Sequence, residues 1–541
     1  MQKKQSKKQG EQGKQGERFI SLLPCLIALA SGILMGLTVA PVGAWLLAWV
    51  ALAPLWVLVV TSAKRKNQSP PALFWGIGYH GVALSWITGI HPMTWLGVPW
   101  LPSLLITLFC WGFISVFGGV FVAIWAAVMV RLNGQKPWLR ILIGTAVWCG
   151  LESLWSAGPL WWSSLAYTQS PHNLLILHLG QLSGPNTVTA AIAAINGLIA
   201  EGWMNRLRAA SRREDAKISS ASWQFVNKYW VIATGLLITL HLIGFILYSR
   251  PIAQLPEAAL KVGIVQGNIP NRLLRSSEGF RRAQENYTNG YLTLADQGVD
   301  AVLTPEGALP IFQRNLMQTT LVSAVKEKGI VAWIGAFGER GDSYTISLFT
   351  FNSKGEIVSR YDKSKLVPLG EYIPFEEILG GIVQRLSPLE AHQVAGSANQ
   401  IFDTPFGRAI ASICYESAFP EQFRRQAAAG GQFIVSSSND AHYTASMPFQ
   451  HHAQDIMRAI ETDRWSARAT NTGYSGFIDP HGRTLWISGY NTYETHAETI
   501  YRRQTQTLYV RWGDWLTPLL LISSGGAWLL IQLGHSKKIT D

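Results

Sequence analysis

Three side chains in the C-terminal half of the chain have the types and placement that acyl transfer requires. Cys414 lies in A-S-I-C-Y-E-S, directly after an apolar, β-branched run, and no other cysteine follows Cys149. A thiol at the end of a buried strand is held rigidly, faces a cleft and has no disulfide partner nearby, all of which suit a nucleophile. Taken alone, it reads more readily as a packing residue. Glu306 lies in D-A-V-L-T-P-E-G, where an apolar run stops at Thr304-Pro305 and leaves a carboxylate at the strand's C-terminal mouth, the side on which α/β sheets bind ligands. Lys363, in R-Y-D-K-S-K, follows the alternating stretch Gly355 to Tyr361, a strand pattern. Each charge singly reads as a solvated surface group. Together the three describe a carboxylate that takes the thiol proton, a thiolate that attacks a carbonyl, and an ammonium where negative charge develops on the tetrahedral oxygen. A cation beside the thiol is expected to lower its pKa.

Positioning such groups takes a sheet-based domain, and Arg250 to Gly513, about 260 residues, is long enough for one. Strand-like runs at Lys261 to Gln266, Ala301 to Leu303, Ile330 to Ile334, Thr345 to Phe351, Ile410 to Cys414 and Gln432 to Val435 alternate with helix-like runs at Arg281 to Asp296, Leu316 to Lys328 and Gln450 to Thr462. That alternation is the pattern of an α/β sandwich. The remainder differs in kind. Apolar residues make up 48% of the 541 residues, charged ones only 14%, and there are 23 tryptophans, the composition of a polytopic α-helical membrane protein. Stretches able to cross about 30 Å of hydrocarbon run Phe19 to Thr38, Ala44 to Ser62, Ala72 to Ile90, Leu101 to Val130, Leu139 to Leu154, Val188 to Ile199 with its flanks, Tyr229 to Tyr248 and Trp515 to Leu533. This makes about eight spans, of which the fifth and sixth are short.

Charge orients the spans, because lysine and arginine accumulate in short cytoplasmic loops. With a cytoplasmic N terminus, the loops holding Lys64-Arg65-Lys66, Arg131/Lys136/Arg140 and Arg206/Arg208/Arg212/Arg213 fall inside, whereas Pro41 to Gly43, His91 to Trp100 and Ser156 to Asn186 contain neither residue. The expected organisation is a basic, disordered cytoplasmic tail (1–18), a seven-helix membrane domain (19–249), an extracytoplasmic catalytic domain (250–513), a last span (514–534) and a cytoplasmic tail (535–541). The net charge of +12 then reads as topology and calls for no nucleic acid. The basic tail and first span imitate a secretory signal, but seven further spans make them an anchor. Cys25, Cys110 and Cys149 fall within spans as packing residues and offer no disulfide framework.

The words around the three candidates narrow the reading. Y-D-K-S-K-L-V-P-L-G-E-Y-I-P (Tyr361 to Pro374), I-C-Y-E (Ile413 to Glu416), S-N-D-A (Ser438 to Ala441), R-A-I-E-T-D-R (Arg458 to Arg464) and R-A-T-N-T-G (Arg468 to Gly473) resemble the apolipoprotein N-acyltransferase family, a membrane-embedded branch of the nitrilase superfamily. The resemblance runs from about Phe19 to Leu533. It implies an αββα sandwich and a Glu306, Lys363, Cys414 triad as base, oxyanion stabiliser and nucleophile. It also implies a ping-pong reaction: an acyl chain passes from a membrane phospholipid to Cys414, then to the α-amine of the S-diacylglyceryl cysteine of an apolipoprotein, on the periplasmic side of a bacterial inner membrane. Glu371 would be an accessory carboxylate orienting Lys363 or the amine, and Tyr415 and Glu416 would shape the oxyanion site and position their neighbours. Read from the residues alone, Glu371 is a loop surface charge and Tyr415 equally a packing residue. No cofactor and no metal are expected, since no cysteine or acid stands at zinc spacing from His442, His451 or His452.

The chain departs from the family pattern twice. Thr304 and Gly307 flank Pro305-Glu306 where relatives read W-P-E-S or W-P-E-T, and His442-Tyr443-Thr444 follow Ala441 where they read W-F-G. Both departures bear on acyl-chain and headgroup preference, or on rate. Ile373 to Val383, with Gly380-Gly381 as hinges, reads as a lipid-entry loop or as a buried helix of the sandwich. Trp161-Trp162 reads as a floor beneath the site or as part of an aromatic belt. Two other functions fit the same pattern. One is a membrane-tethered amidase in which water replaces the amine. The other is a transporter with a catalytically silent outer domain, against which the scarcity of charge within the spans counts.

Overall fold

Each apolar stretch becomes helical, although not always as one helix. In the computed structural model, which describes residues 22–61, 69–94, 97–216, 228–273, 276–368, 370–372 and 393–540, the first is α1 (Leu22–Gly36). The second divides into a 3-10 turn (Trp45–Trp49) and α2 (Ala53–Thr61), and the third into α3 (Ser69–Ala83) and a 3-10 turn (Ser85–Ile90). Then follow α4 (Trp100–Arg131), α5 (Pro137–Ala157), α6 (Pro185–Ala216) and α7 (Lys228–Tyr248). The basic tail, the Lys64-Arg65-Lys66 loop and the proposed lipid-entry loop Ile373 to Val383 lie outside the described residues.

The fifth and sixth stretches are longer helices than their apolar cores suggest. Both start at a proline, whose missing N–H costs nothing in the first turn. Where a helix breaks, a distant side chain meets the freed backbone, as an apolar surround demands. Asn196 Oδ1 accepts from Leu52 N (2.9 Å) and Ala53 N (3.0 Å). Gln450 Nε2 donates to Ala83 O (2.8 Å) and Ala40 O (3.0 Å). Among the described residues, four helical segments are long and apolar enough to cross a membrane by length and composition: Trp100–Arg131, Pro185–Ala210, Lys228–Tyr248 and Leu516–Leu533.

Between α7 and the last helix lies the sandwich. Its strands are β1 (Ala259–Gln266), β2 (Ala301–Leu303), β3 (Val331–Arg340), β4 (Ser343–Phe351), β5 (Ile357–Asp362), β6 (Phe402–Thr404), β7 (Gly407–Ile413), β8 (Ile434–Ser438), β9 (Ser466–Thr470), β10 (Gly476–Ile478), β11 (Thr484–Ile487) and β12 (Glu494–Tyr501). They form two six-stranded sheets, β12-β1-β2-β3-β4-β5 and β11-β10-β9-β8-β7-β6. Each sheet has a parallel centre (β1-β2-β3 and β7-β8-β9) with antiparallel flanks.

Apolar residues of the two sheets, among them Val262, Leu303, Trp333, Ile413, Val435 and Ala467, share one core. Helices α8 (Ser277–Asp296) and α9 (Thr320–Lys328) cover the first sheet through Tyr291, Leu294 and Val325. Helix α10 (Pro420–Ala428) covers the second through Phe423. Helix α11 (Ser446–Thr462) is buried at nearly every position. Its Ile456, Met457 and Ile460 share an apolar core with Trp56 of α2 and with Tyr167 and Leu177 of the segment between α5 and α6, so the sandwich packs directly against the N-terminal helices. The last helix is α12 (Leu516–Thr540).

Candidate active site

The parallel strands deliver the three candidates to one end of the sandwich. Glu306 follows β2, Lys363 follows β5 and Cys414 follows β7. Cys414 is not the strand's last residue. It opens a 3-10 turn (Cys414–Ala418) with φ 53°, in the left-handed region that a side chain occupies only when its surroundings impose it. It is 5% exposed. Lys363 Nζ donates to Glu306 Oε1 (2.8 Å) and to Glu371 Oε1 (2.5 Å). The remaining carboxylate oxygens are held from the backbone, Glu306 Oε2 by Asn439 N (3.0 Å) and Glu371 Oε2 by Val367 N (2.8 Å). Glu371 therefore sits against the lysine and is not a loop surface charge.

Burial works against the Lys363 ammonium, but Glu306 and Glu371 outweigh it and hold its pKa well above the ordinary lysine range. Burial raises Glu371, and Lys363 only partly offsets this. Cys414 is pushed well above the ordinary thiol range by burial and then by Glu306; Lys363 pulls the other way and loses. The expected lowering of the thiol by the lysine is present but is not the net effect.

Glu416 holds its neighbours in place, as expected of it. Wholly buried, it accepts from Ser364 N (2.6 Å), Ser364 Oγ (2.7 Å) and Lys365 N (3.3 Å) on the lysine's loop, from Tyr361 Oη (3.1 Å), and from Ile413 N (2.7 Å) beside the thiol. It ties the strand carrying Cys414 to the loop carrying Lys363. Tyr415 points towards the membrane domain, its hydroxyl donating to Trp161 O (2.9 Å). In return, Trp161 Nε1 donates to Ala418 O (3.0 Å), and Trp162 Nε1 to Gln450 Oε1 (2.7 Å). The Trp162 ring stacks on Tyr415 at 6.2 Å and touches His451 at 5.1 Å. Both tryptophans are buried, so they form the floor of the site rather than a lipid-facing belt.

Residues that spacing did not reveal complete the site. His451 Nδ1 lies 3.2 Å from Asp440 Oδ1 and its Nε2 lies 3.0 Å from Cys414 O. Arg468 Nη2 reaches Asp440 Oδ2 (3.4 Å) and its Nη1 reaches Asp455 Oδ2 (2.7 Å). Burial would raise Asp440, but His451 and Arg468 win and hold its carboxyl below the usual range. Ligand-type atoms of Cys414, Asp440 and His451 lie within 4.8 Å of one another. The trio does not fit a metal, because both imidazole nitrogens are engaged by protein acceptors and a guanidinium already faces the carboxylate. Asp440 and Arg468 do lie in the quoted S-N-D-A and R-A-T-N-T-G words, which was the only signal for them.

The two departures fall in different places. Thr304 is buried in the sheet, its Oγ1 accepting from Gly335 N (3.1 Å) of β3, and Gly307 turns the chain at φ 58°, where glycine is unstrained. Tyr443 packs on Trp86 at 5.2 Å, and Thr444 closes over Gly89 so tightly that a Cβ there would lie 2.5 Å from its methyl. This second departure belongs to the junction with the membrane segment.

Residues 261–508 match the carbon-nitrogen hydrolase family model, and residues 31–198 match that of the apolipoprotein N-acyltransferase N-terminal domain. An apolipoprotein N-acyltransferase from a Nostoc species is 74% identical over 92% of this chain and 97% of its own length. Those of a Synechocystis species and of Thermosynechococcus vestitus are 46% and 43% identical, over 92% and 90% of this chain and 98% and 91% of theirs.

Proposed function

This chain belongs to the apolipoprotein N-acyltransferase family, and from that premise we propose that Cys414 is the thiol that carries the acyl chain between donor and acceptor. The protein is an acyltransferase of lipoprotein maturation. The observation that carries the residue assignment is the Lys363 ammonium, clasped between Glu306 and Glu371 and electrostatically coupled to Cys414.

In the first half-reaction a Glu306 oxygen takes the Sγ proton as sulfur attacks the ester carbonyl of a membrane phospholipid. The developing oxyanion faces Lys363, whose charge the two carboxylates secure. When the tetrahedral intermediate collapses, the C–O bond breaks, Glu306 returns its proton to the leaving alkoxide, and lysophospholipid departs from a Cys414 thioester. In the second, the α-amine of the S-diacylglyceryl cysteine of an apolipoprotein attacks that thioester and loses its proton to Glu306. The C–S bond breaks and the thiol is restored. Glu371 and Glu416 position the lysine and its loop, and Tyr415, Trp161 and Trp162 seat the site on the membrane helices, so that two lipid substrates reach one thiol laterally.

The distribution of lysine and arginine supports a topology of eight crossings with residues 1–18 and 535–541 cytoplasmic. Residues 19–249 and 514–534 would then form the membrane domain, and 250–513 would lie on the periplasmic side of the inner membrane. The test uses the purified chain, phospholipid and a synthetic S-diacylglyceryl-cysteinyl peptide. The peptide should gain one amide-linked acyl chain, and Cys414→Ala and Glu306→Gln should abolish the gain. Free fatty acid accumulating beside an unchanged peptide would turn the assignment towards a hydrolase.

A further inference from the structure

A cavity of about 420 Å³ opens between the end of α7, Gln181, His481 and the segment from Arg503 to Arg511, a size that admits a small ligand or a lipid headgroup. Its one carboxylate is matched: Asp463 Oδ2 accepts from Arg503 Nη2 (2.6 Å) and Thr505 Oγ1 (2.5 Å). Arg250 and Arg511, both exposed, make no side-chain hydrogen bond or ion pair with any described residue. The lining therefore carries two positive charges that the protein does not answer.

Their depth is informative. Arg250 stands just past the end of α7, and Arg511 just before α12, beside Trp512, which is 67% exposed. Tryptophan in such a place marks the headgroup level of a bilayer. Gln181 belongs to the segment Ser156 to Asn186, which has no lysine or arginine. Of the three arginines lining the cavity, Arg503 is matched by Asp463, and Arg250 and Arg511 are left to meet a ligand. Immediately before Arg250, α7 exposes Leu242, Phe245 and Ile246, a surface for acyl chains.

We propose that the Arg250 and Arg511 guanidinium groups bind the phosphate of an anionic membrane phospholipid in this cavity, at a site separate from the thiol. A guanidinium fork matches phosphate oxygens in pairs, and an outer-leaflet lipid offers both the anion and the chains. The cavity and the thiol lie towards opposite ends of α11. His451, beside Cys414, is near its start, and Asp463 caps its end, about 18 Å away by helix rise. The proposal does not rest on the assignment of Cys414.

The test is made on the full chain carrying Cys414→Ala, so that no lipid is turned over. Detergent micelles are titrated with phosphatidylglycerol and read by native mass spectrometry, against the same chain with Arg250→Gln and Arg511→Gln. The expected result is one fewer retained phosphatidylglycerol and at least a tenfold weaker apparent affinity in the double variant, with phosphatidylcholine retention unchanged. Equal phosphatidylglycerol retention overturns the proposal. So does displacement of the lipid by glycerol 3-phosphate at similar concentration, which would make the occupant a soluble anion. If the double variant does not fold, Arg511→Gln alone decides, and unchanged retention overturns the proposal there too.

Discussion

The imidazole of His451 holds the backbone of Cys414, its Nε2 lying 3.0 Å from the Cys414 carbonyl oxygen. The other ring nitrogen faces the Asp440 carboxylate. A backbone carbonyl only accepts, so the nitrogen facing Cys414 O is the donor of that bond. This bond braces a residue in the left-handed region, a conformation that costs about 1–3 kcal/mol for a non-glycine residue. His451→Ala is expected to slow Cys414 acylation about ten- to a hundredfold, the equivalent of one buried hydrogen bond left unmade, with the phospholipid KM unchanged. A quenched-flow measurement of thioester formation checks both numbers. An unchanged rate would mean that the turn needs no brace.

The Cys414 thiol and the Glu306 carboxylate make a prediction of opposite signs. Glu306 raises the Cys414 pKa, so Glu306→Gln should make the thiol more reactive towards iodoacetamide at a given pH. The same variant should lose about a hundredfold or more in acylation, because the general base is gone. Lys363→Met removes the pull that lowers the thiol and should slow alkylation. In the parent, alkylation should be slow at neutral pH and still rising above the ordinary thiol pKa of about 8.5. If Glu306→Gln left acylation unchanged, Glu306 would not be acting as this thiol's base.

Glu416 should matter more to folding than to chemistry. Five donors converge on its carboxylate, and Glu416→Ala leaves them buried without an acceptor, at about 1–3 kcal/mol for each that water cannot reach. A large drop in thermal stability is expected, together with loss of acylation as the Lys363 loop detaches from β7. Glu416→Gln, which keeps one acceptor oxygen, should recover part of both. Thermal unfolding beside single-turnover acylation separates this from a direct catalytic part, in which case activity would fall with stability intact.

How much of this could be read in the sequence follows from what is local. The three candidate residues could be placed because β2, β5 and β7 announce themselves by apolar or alternating runs, and Glu306, Lys363 and Cys414 come just after them. Strands β6, β10, β11 and β12 were not placed; F-D-T, G-F-I and E-T-H-A-E-T-I-Y lack a continuous apolar run such as the one that stops at Thr304-Pro305. Nor was β9, whose S-A-R-A-T carries its buried arginine into a polar network that only the fold assembles. The split of the second and third apolar stretches depends on Asn196 and Gln450, far away in sequence. His451 looked like one of three histidines without metal spacing, because its partners come from the turn after β7 and the loop after β8.

Asp440 carries a pH signature. Its folded pKa is held below the unfolded value of about 3.9 by His451 and Arg468. The stability it contributes is therefore complete above that value and is lost as the pH falls through the lower, folded one. Asp440→Asn should lower stability at pH 7 by about 3 kcal/mol, since the buried Arg468 guanidinium loses a carboxylate partner, and should flatten the acid limb. Thermal unfolding between pH 7 and pH 3 tests this, and parallel acid limbs would refute it.

The central claim is that Cys414 holds the acyl chain, and the most direct measurement is the intact mass of the protein after incubation with phospholipid and no acceptor. The account predicts a gain of one acyl mass that hydroxylamine removes, mapped to Cys414 and absent from Cys414→Ala. A folded protein that turns over the diacylated peptide while never gaining acyl mass, or that gains it at another residue, would contradict it.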